Sequence, residues 1–185
     1  MQIKIRKYTN TDISIITTIQ KDAVLEGLGS FALTPMNEQE MLSKFQGLLE
    51  SGYPCFVAEL NNEVIGFAHA SSHRPRPGYR WTVEDSVYVR CDKQGKGVGR
   101  RLLTRLIKDC TDLGFRQMVA VIGDSNNQGS IKLHEKCGFE VMGKLKSIGY
   151  KKEQWLDVVH MQKPLGLSDE NQPIESEYPG TLFKN

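Results

Sequence analysis

No stretch of this 185-residue chain holds enough consecutive apolar residues to cross a bilayer as a helix. Its opening residues read as a Lys- and Arg-dotted strand instead of a secretory signal, so the expected compartment is the cytoplasm. Cysteine is sparse. The four, at positions 55, 91, 110 and 137, show no CxxC spacing, which argues against zinc or any other metal and for reduced thiols. An excess of one charge is missing too, because 24 basic against 22 acidic residues leave only +2. With no recognition motif beside its local basic clusters, nucleic-acid binding is disfavoured. Internal repeats are absent, and nothing marks a second domain. A content of 39% apolar and 25% charged residues is that of an ordinary globular domain able to bury a core.

The charge that is present is unevenly placed. Residues 165–185 hold Asp169, Glu170, Glu175 and Glu177 against Lys184 alone, so the remainder carries about +5. This polar, acidic tail lacks periodicity and is expected to be extended or draped on the surface, leaving residues 1–164 as the domain. Two basic clusters stand out: Arg74, Arg76 and Arg80, then Arg90, Lys93, Lys96, Arg100, Arg101 and Arg105. For Arg101 and Arg105 a solvated helix face is an equal alternative.

The most informative segment is Gln94-Gly95-Lys96-Gly97-Val98-Gly99-Arg100. Glycine at alternate positions allows left-handed torsions and close backbone approach. Leu102, Leu103, Leu106, Ile107, Cys110 and Leu113 then recur at helical spacing up to Gly114. A bare-backbone turn entering a helix N-terminus is an anion site, most naturally for phosphate. Two familiar phosphate loops are excluded by one residue each. Lys96 is followed by Gly97 where a nucleotide P-loop needs Ser or Thr, and Arg100 stands where the dinucleotide fingerprint needs its third glycine.

Around this turn, periodicity predicts a strand at 3–7, helices ending near Gly27 and Gly52, and strands at 55–60 and 64–71 joined by Asn61-Asn62-Glu63. A Pro-rich loop at 73–79 precedes a strand at 82–90. A helix at 100–113, a strand at 118–122 and a helix at 127–137 follow, and strands at 139–145 and about 155–162 close the pattern. The expected class is α/β, a mixed and mostly antiparallel sheet flanked by helices.

These motifs resemble those of the GNAT acyltransferases. Gln94-x-x-Gly97-x-Gly99 fits that superfamily's pyrophosphate signature. The segments Tyr79 to Val89, Val119 to Gly123, Asn127 to Ser130, Leu133 to Phe139 and Trp155 to Val158 are similar to the phosphinothricin and methionine-sulfoximine acetyltransferase branch, in its order and spacing. The resemblance implies the GNAT fold, acetyl-CoA as cosubstrate, a small amino acid or analogue as acceptor, and a homodimer. It also implies that the pyrophosphate lies on Gly95, Lys96, Gly97, Val98, Gly99 and Arg100. Backbone groups of Val87, Tyr88 and Val89 would pair with the pantetheine arm, with an N–H near Val89 polarising the thioester carbonyl. Asn127 and Ser130 match a coenzyme contact, although Asn127 is equally an ordinary helix cap; Lys136 reaches either phosphate or solvent.

Amide formation from a thioester needs an amine stripped of its proton, a stabilised oxyanion and a departing thiolate. Glu84, mid-strand beside Val83 and ahead of the Val87-Tyr88-Val89 run, is the candidate base, since partial burial favours its neutral form. The alternative is a solvent-facing or arginine-paired glutamate. His134 is the candidate acid for the thiolate, in a place where many GNAT enzymes carry tyrosine; otherwise it packs near Ile131 and Cys137. His69, His73 and His160 carry no assigned role. Arg76, then Arg74, suit an acceptor carboxylate. Tyr79 and Trp81 line the pocket or belong to the core, and Phe31 is a candidate lid. Ala32 and Arg80 depart from the phosphinothricin pattern, which puts that substrate in doubt. Rival readings are acetylation of a polyamine or a protein N-terminus, and a non-catalytic CoA-binding module.

Overall fold

The computed structural model describes residues 2–183. Strand β1 (Lys4–Lys7) leads into helix α1 (Ile13–Glu26), helix α2 (Glu38–Glu50), strands β2 (Cys55–Leu60), β3 (Glu63–Ser72) and β4 (Thr82–Val89), and helix α3 (Val98–Leu113). Strand β5 (Gln117–Gly123), helix α4 (Gln128–Lys136) and strands β6 (Glu140–Lys151) and β7 (Gln154–Pro164) complete it. The element order is the expected one. Local chemistry sets the boundaries. Asn37 and Glu40 form a reciprocal capping box at α2, with Glu40 N donating to Asn37 Oδ1 at 2.9 Å and Asn37 N to Glu40 Oε2 at 2.8 Å. Asn61 and Asn62, at φ of 53° and 64°, make the tight turn between β2 and β3.

The sheet runs β1-β2-β3-β4-β5-β7-β6. Alternation along β2 sorts side chains to its two faces. Phe56 and Ala58 join Leu102, Leu103 and Leu106 of α3, while Cys55 and Val57 join Ile16, Ile19, Met41 and Phe45 of α1 and α2. Each fully buried leucine contributes about 2 kcal/mol of transfer free energy, so packing of both faces holds the strands in place.

One pairing is incomplete. β4 lies against β3 from Val83 to Val89, and β5 against β7 along its whole length. Between β4 and β5 the parallel ladder comprises only Thr82, Val83 and Glu84 opposite Gln117, Met118 and Val119. Beyond Glu84 the two strands part and leave a gap.

Two expectations change in detail. β6 continues to Lys151, well past residue 145, because a bulge at Ser147 (φ 50°) shifts the register and erases the alternation that marks a strand. The tail lies on the surface in turns and a short 3-10 segment (Glu175–Glu177), not as an extended chain, and it is anchored. Leu165 and Tyr178 are buried, and Tyr178 packs against Trp81 and Phe115. Thr181 N donates to Ser51 O at 3.1 Å. Lys184, counted with the tail's charge, lies outside the described residues.

Candidate active site

The glycine turn has the form of an anion cradle. Gly95 and Gly97 adopt φ of 72° and 78°, and a Cβ built on either meets nothing within 4 Å. The first bond of α3 runs from Arg101 N to Gly97 O at 3.2 Å, leaving the amides of Val98, Gly99 and Arg100 without intrahelical acceptors. Gly99 has a second reason to be bare: an added Cβ would come within 3.1 Å of Leu133 and 3.7 Å of Val89, so it lets α3 approach α4 and β4.

The basic residues divide. Arg90 and Lys93 are paired with Asp92 at 2.6 and 2.9 Å, and Lys96 Nζ donates to the Asp92 carbonyl at 2.9 Å. Arg105 is bound to Asp109 and stacked over Phe56, away from the turn. Arg100 and Arg101 are exposed and, among the described residues, form no ion pair. Lys136 is exposed one helical turn beyond Leu133, on the face that meets Gly99.

The parted strands expose main chain. Arg90 N donates to Ile65 O of β3, so by alternation Val87 and Val89 turn their peptide groups toward the gap and Tyr88 turns its own toward β3. Gln94 Nε2 donates to Val89 O at 3.2 Å. Such an unpaired edge is costly unless a ligand or water satisfies it. The gap and the cradle thus fit the pantetheine and pyrophosphate parts of acetyl-CoA. At the start of α4, Asn127 Oδ1 accepts from Ser130 N at 3.1 Å. Asn127 is therefore a helix cap, whatever else it does.

Glu84 occupies the last β4–β5 pair, where the gap begins, with its side chain 31% exposed. His73 Nδ1 lies 3.1 Å from its Oε2, a contact between residues 11 apart that gives His73 the position sequence reasoning denied it. The Tyr79 ring stands edge-on to His73 with centroids 6.0 Å apart, so Tyr79 belongs to this side of the gap. Arg74 and Arg76 are exposed in the loop before Tyr79 and, among the described residues, have no acidic partner. Phe31 lies against Gly149, and the Ser30 side chain is a polar neighbour of Tyr88.

Arg80 and Trp81 are elsewhere. Arg80 forms an ion pair with Glu175 of the tail, and Trp81 meets Tyr178 edge-on at 5.5 Å. Trp81 therefore takes the core reading, and Arg80 is engaged by the tail.

His134 is buried and paired. It is 4% exposed, with Nδ1 2.8 Å from Ser130 O and Nε2 3.1 Å from Asp85 Oδ2. Burial opposes its charged form, but the Asp85 hydrogen bond and charge, aided by Ser130 O, outweigh it and raise His134 above the ordinary histidine value. Asp85 went unsingled in the sequence, although a second carboxylate next to Glu84 must face the opposite side of the strand. Asp157 falls within the Trp155 to Val158 segment. It pins the β6 bulge by accepting from Ser147 N at 2.9 Å and Ser125 Oγ at 3.1 Å, with Lys144 at 3.0 Å. The Ser147 amide, then Lys144, lower its pKa to about 2.

Comparison with known proteins gives concordant results. Residues 22–139 match the description "Acetyltransferase (GNAT) family". Over 169 residues the chain is 42% identical to phosphinothricin N-acetyltransferase of Alcaligenes faecalis, covering 91% of this chain and 86% of that protein. It is 39% identical over 163 residues to an L-methionine sulfoximine/L-methionine sulfone acetyltransferase of Pseudomonas paraeruginosa, covering 88% and 94%. Among solved structures, a GNAT superfamily phosphinothricin acetyltransferase from Sinorhizobium meliloti in complex with AcCoA superposes with a TM-score of 0.95. Its sequence identity is 42%, over 100% of both chains.

Proposed function

This chain belongs to the GNAT acetyltransferase family, and on that premise we propose that it carries acetyl from acetyl-CoA directly to the α-amine of a small amino acid. Acceptors of the phosphinothricin or methionine sulfoximine type are the class its relatives' names supply. One observation carries the reading: Glu84 sits where β4 and β5 separate, beside an unpaired β4 edge that leads toward the cradle before α3.

Glu84 takes the proton from the acceptor ammonium, held by His73 on its other side. The freed nitrogen bonds to the acetyl carbon, the carbon–sulfur bond breaks with its electron pair leaving on sulfur, and the second proton that the nitrogen sheds on becoming an amide neutralises the thiolate. The Val89 N–H supplies a donor toward the gap for charge developing on the carbonyl oxygen. Gly95 to Arg100 hold the pyrophosphate, with Asn127, Ser130 and Lys136 on the α4 side. Arg76 and Arg74 take the acceptor carboxylate, with Tyr79 and Phe31 beside it. For His134 the paired geometry favours a narrower role than free acid. The proton on Nε2 is shared with Asp85, so giving it to sulfur would uncover a buried carboxylate.

No acyl-enzyme is needed. Burial pushes the Cys55 thiol up to about 12 and Cys110 further, so neither presents a thiolate. A homodimer fits the apolar side chains exposed along β6, namely Val141, Met142, Leu145, Ile148 and Tyr150, with Trp155 on β7. Among the described residues no helix is long and apolar enough to cross a membrane, and a cytoplasmic enzyme is the reading adopted.

Arg74 and Arg76, which have no acidic partner among the described residues, suit an anionic acceptor and disfavour a polyamine. A thiol-release assay against oxidised, sulfoximine and phosphinic amino acids, polyamines and N-terminal peptides tests the proposal. Turnover confined to amino acids supports it, turnover of polyamine or peptide replaces the acceptor, and CoA binding without turnover leaves a binding module.

A further inference from the structure

Lys151 is a buried cation held by backbone carbonyls. It closes β6, is 5% exposed and, among the described residues, makes no ion pair. Its Nζ donates to Val24 O and to Ser30 O, each at 2.7 Å. Lys152, first residue of the turn into β7, donates to Glu26 O at 2.7 Å. Val24 and Glu26 belong to the last turn of α1, where unpaired carbonyls and the helix dipole favour cations. Ser30 belongs to the segment 27–37 that follows. Burying an ammonium is costly, and an apolar side chain could have anchored a hairpin tip at less cost.

That segment is held at three further points. The Phe31 ring lies so close to Gly149 that a Cβ there would come within 2.7 Å of it. The backbone of Leu28 and Gly29 rests on Gly123, where a Cβ would meet Gly29 O at 2.8 Å. The Ser30 side chain is a polar neighbour of Tyr88. Tyr88 lies on the β4 wall of the gap and Gly123 ends the β5 wall. The segment thus spans both walls, and the β6–β7 hairpin fixes it from outside.

We propose that Lys151 is a positioning residue for the acceptor: through Val24 O and Ser30 O it fixes the Phe31-bearing segment across the open end of the gap. The kinetic part of this inference rests on the acetyl-transfer reading; the structural part does not. Loss of the clamp frees the segment and weakens acceptor binding while the cradle before α3 stays intact.

Lys151→Met keeps much of the aliphatic stem and removes the donors. Hydrogen–deuterium exchange on the full chain should show amides of 27–33 exchanging about tenfold faster, with α3 and β3 unchanged. The acceptor KM should rise roughly tenfold while the KM for acetyl-CoA stays within about twofold, and Lys151→Arg should recover part of both effects. Unchanged exchange in 27–33 overturns the proposal. So does an equal rise in both KM values with exchange increased throughout the domain, which marks a residue that only stabilises the fold. If the unaltered protein acetylates no amine, the acetyl-transfer reading fails, and the exchange measurement still decides the clamp.

Discussion

His134 and Asp85 meet nitrogen to oxygen at 3.1 Å with side chains 5% and 2% exposed, one from α4 and one from β4. Because Ser130 O can only accept, Nδ1 of His134 carries hydrogen, and Nε2 donates to Asp85 only when the ring is an imidazolium. The other Asp85 oxygen, Oδ1, has no partner among the described residues.

Asp85→Asn should therefore cost about 3 kcal/mol, since it leaves a buried imidazole without its counter-charge. Folding raises the His134 value, so its contribution is complete below the unfolded value of 6.5 and disappears as pH rises through the folded one. Urea unfolding from pH 5.5 to 9 measures both effects. A variant with the same decline above pH 6.5 as the parent would show that the pair is not its source.

His69 works in the opposite window. It is 2% exposed on β3, edge-on to Phe45, and neither ring nitrogen has a hydrogen-bond partner among the described residues. Burial, then Lys44, lowers it to about 3, so the unfolded chain binds a proton that the folded one refuses, and stability is lost as pH falls below 6.5. At about 1.4 kcal/mol per pH unit the loss by pH 5 is about 2 kcal/mol. His69→Leu should flatten this limb, and comparison of unfolding free energies at pH 7 and 5 checks it.

Glu84→Gln keeps the shape and removes the base. The expected loss in kcat is about 10²- to 10⁴-fold, with acetyl-CoA affinity by calorimetry unchanged. Amine acetylation at the parent rate would end the assignment.

Gly97→Val places a β-branched side chain at φ 78° and in the space the cradle faces. Acetyl-CoA affinity should fall at least roughly tenfold, and the acceptor KM should change little. Equal affinity would place the diphosphate elsewhere.

How much of this was legible depends on the distance along the chain over which each feature is encoded. The glycine turn, the α2 cap and the Asn61-Asn62 hairpin are local, and their residues announce them. Glu84 was visible because a carboxylate in a strand of valines conflicts with its neighbours. Asp85 and His134 are 49 residues apart, and Lys151 and Ser30 are 121 apart, so nothing near any one of them reveals its partner. His73 reads as a polar residue of a Pro-rich loop until β4 brings Glu84 beside it. The second half of β6 escaped detection because its bulge breaks the period of two. In the tail, two buried side chains among many polar ones leave no periodic trace.

Among the described residues, three residue pairs are the only ladder between the half-sheet containing β1 to β4 and the one containing β5 to β7. A sheet interrupted in this way has a line of mechanical weakness through its centre, bridged elsewhere by side chains. Whatever lies in the opening becomes building material as well as reagent, restoring bonds that the polypeptide leaves unmade. The resting protein is then the softer of the two states, and each turnover removes and replaces part of its own framework.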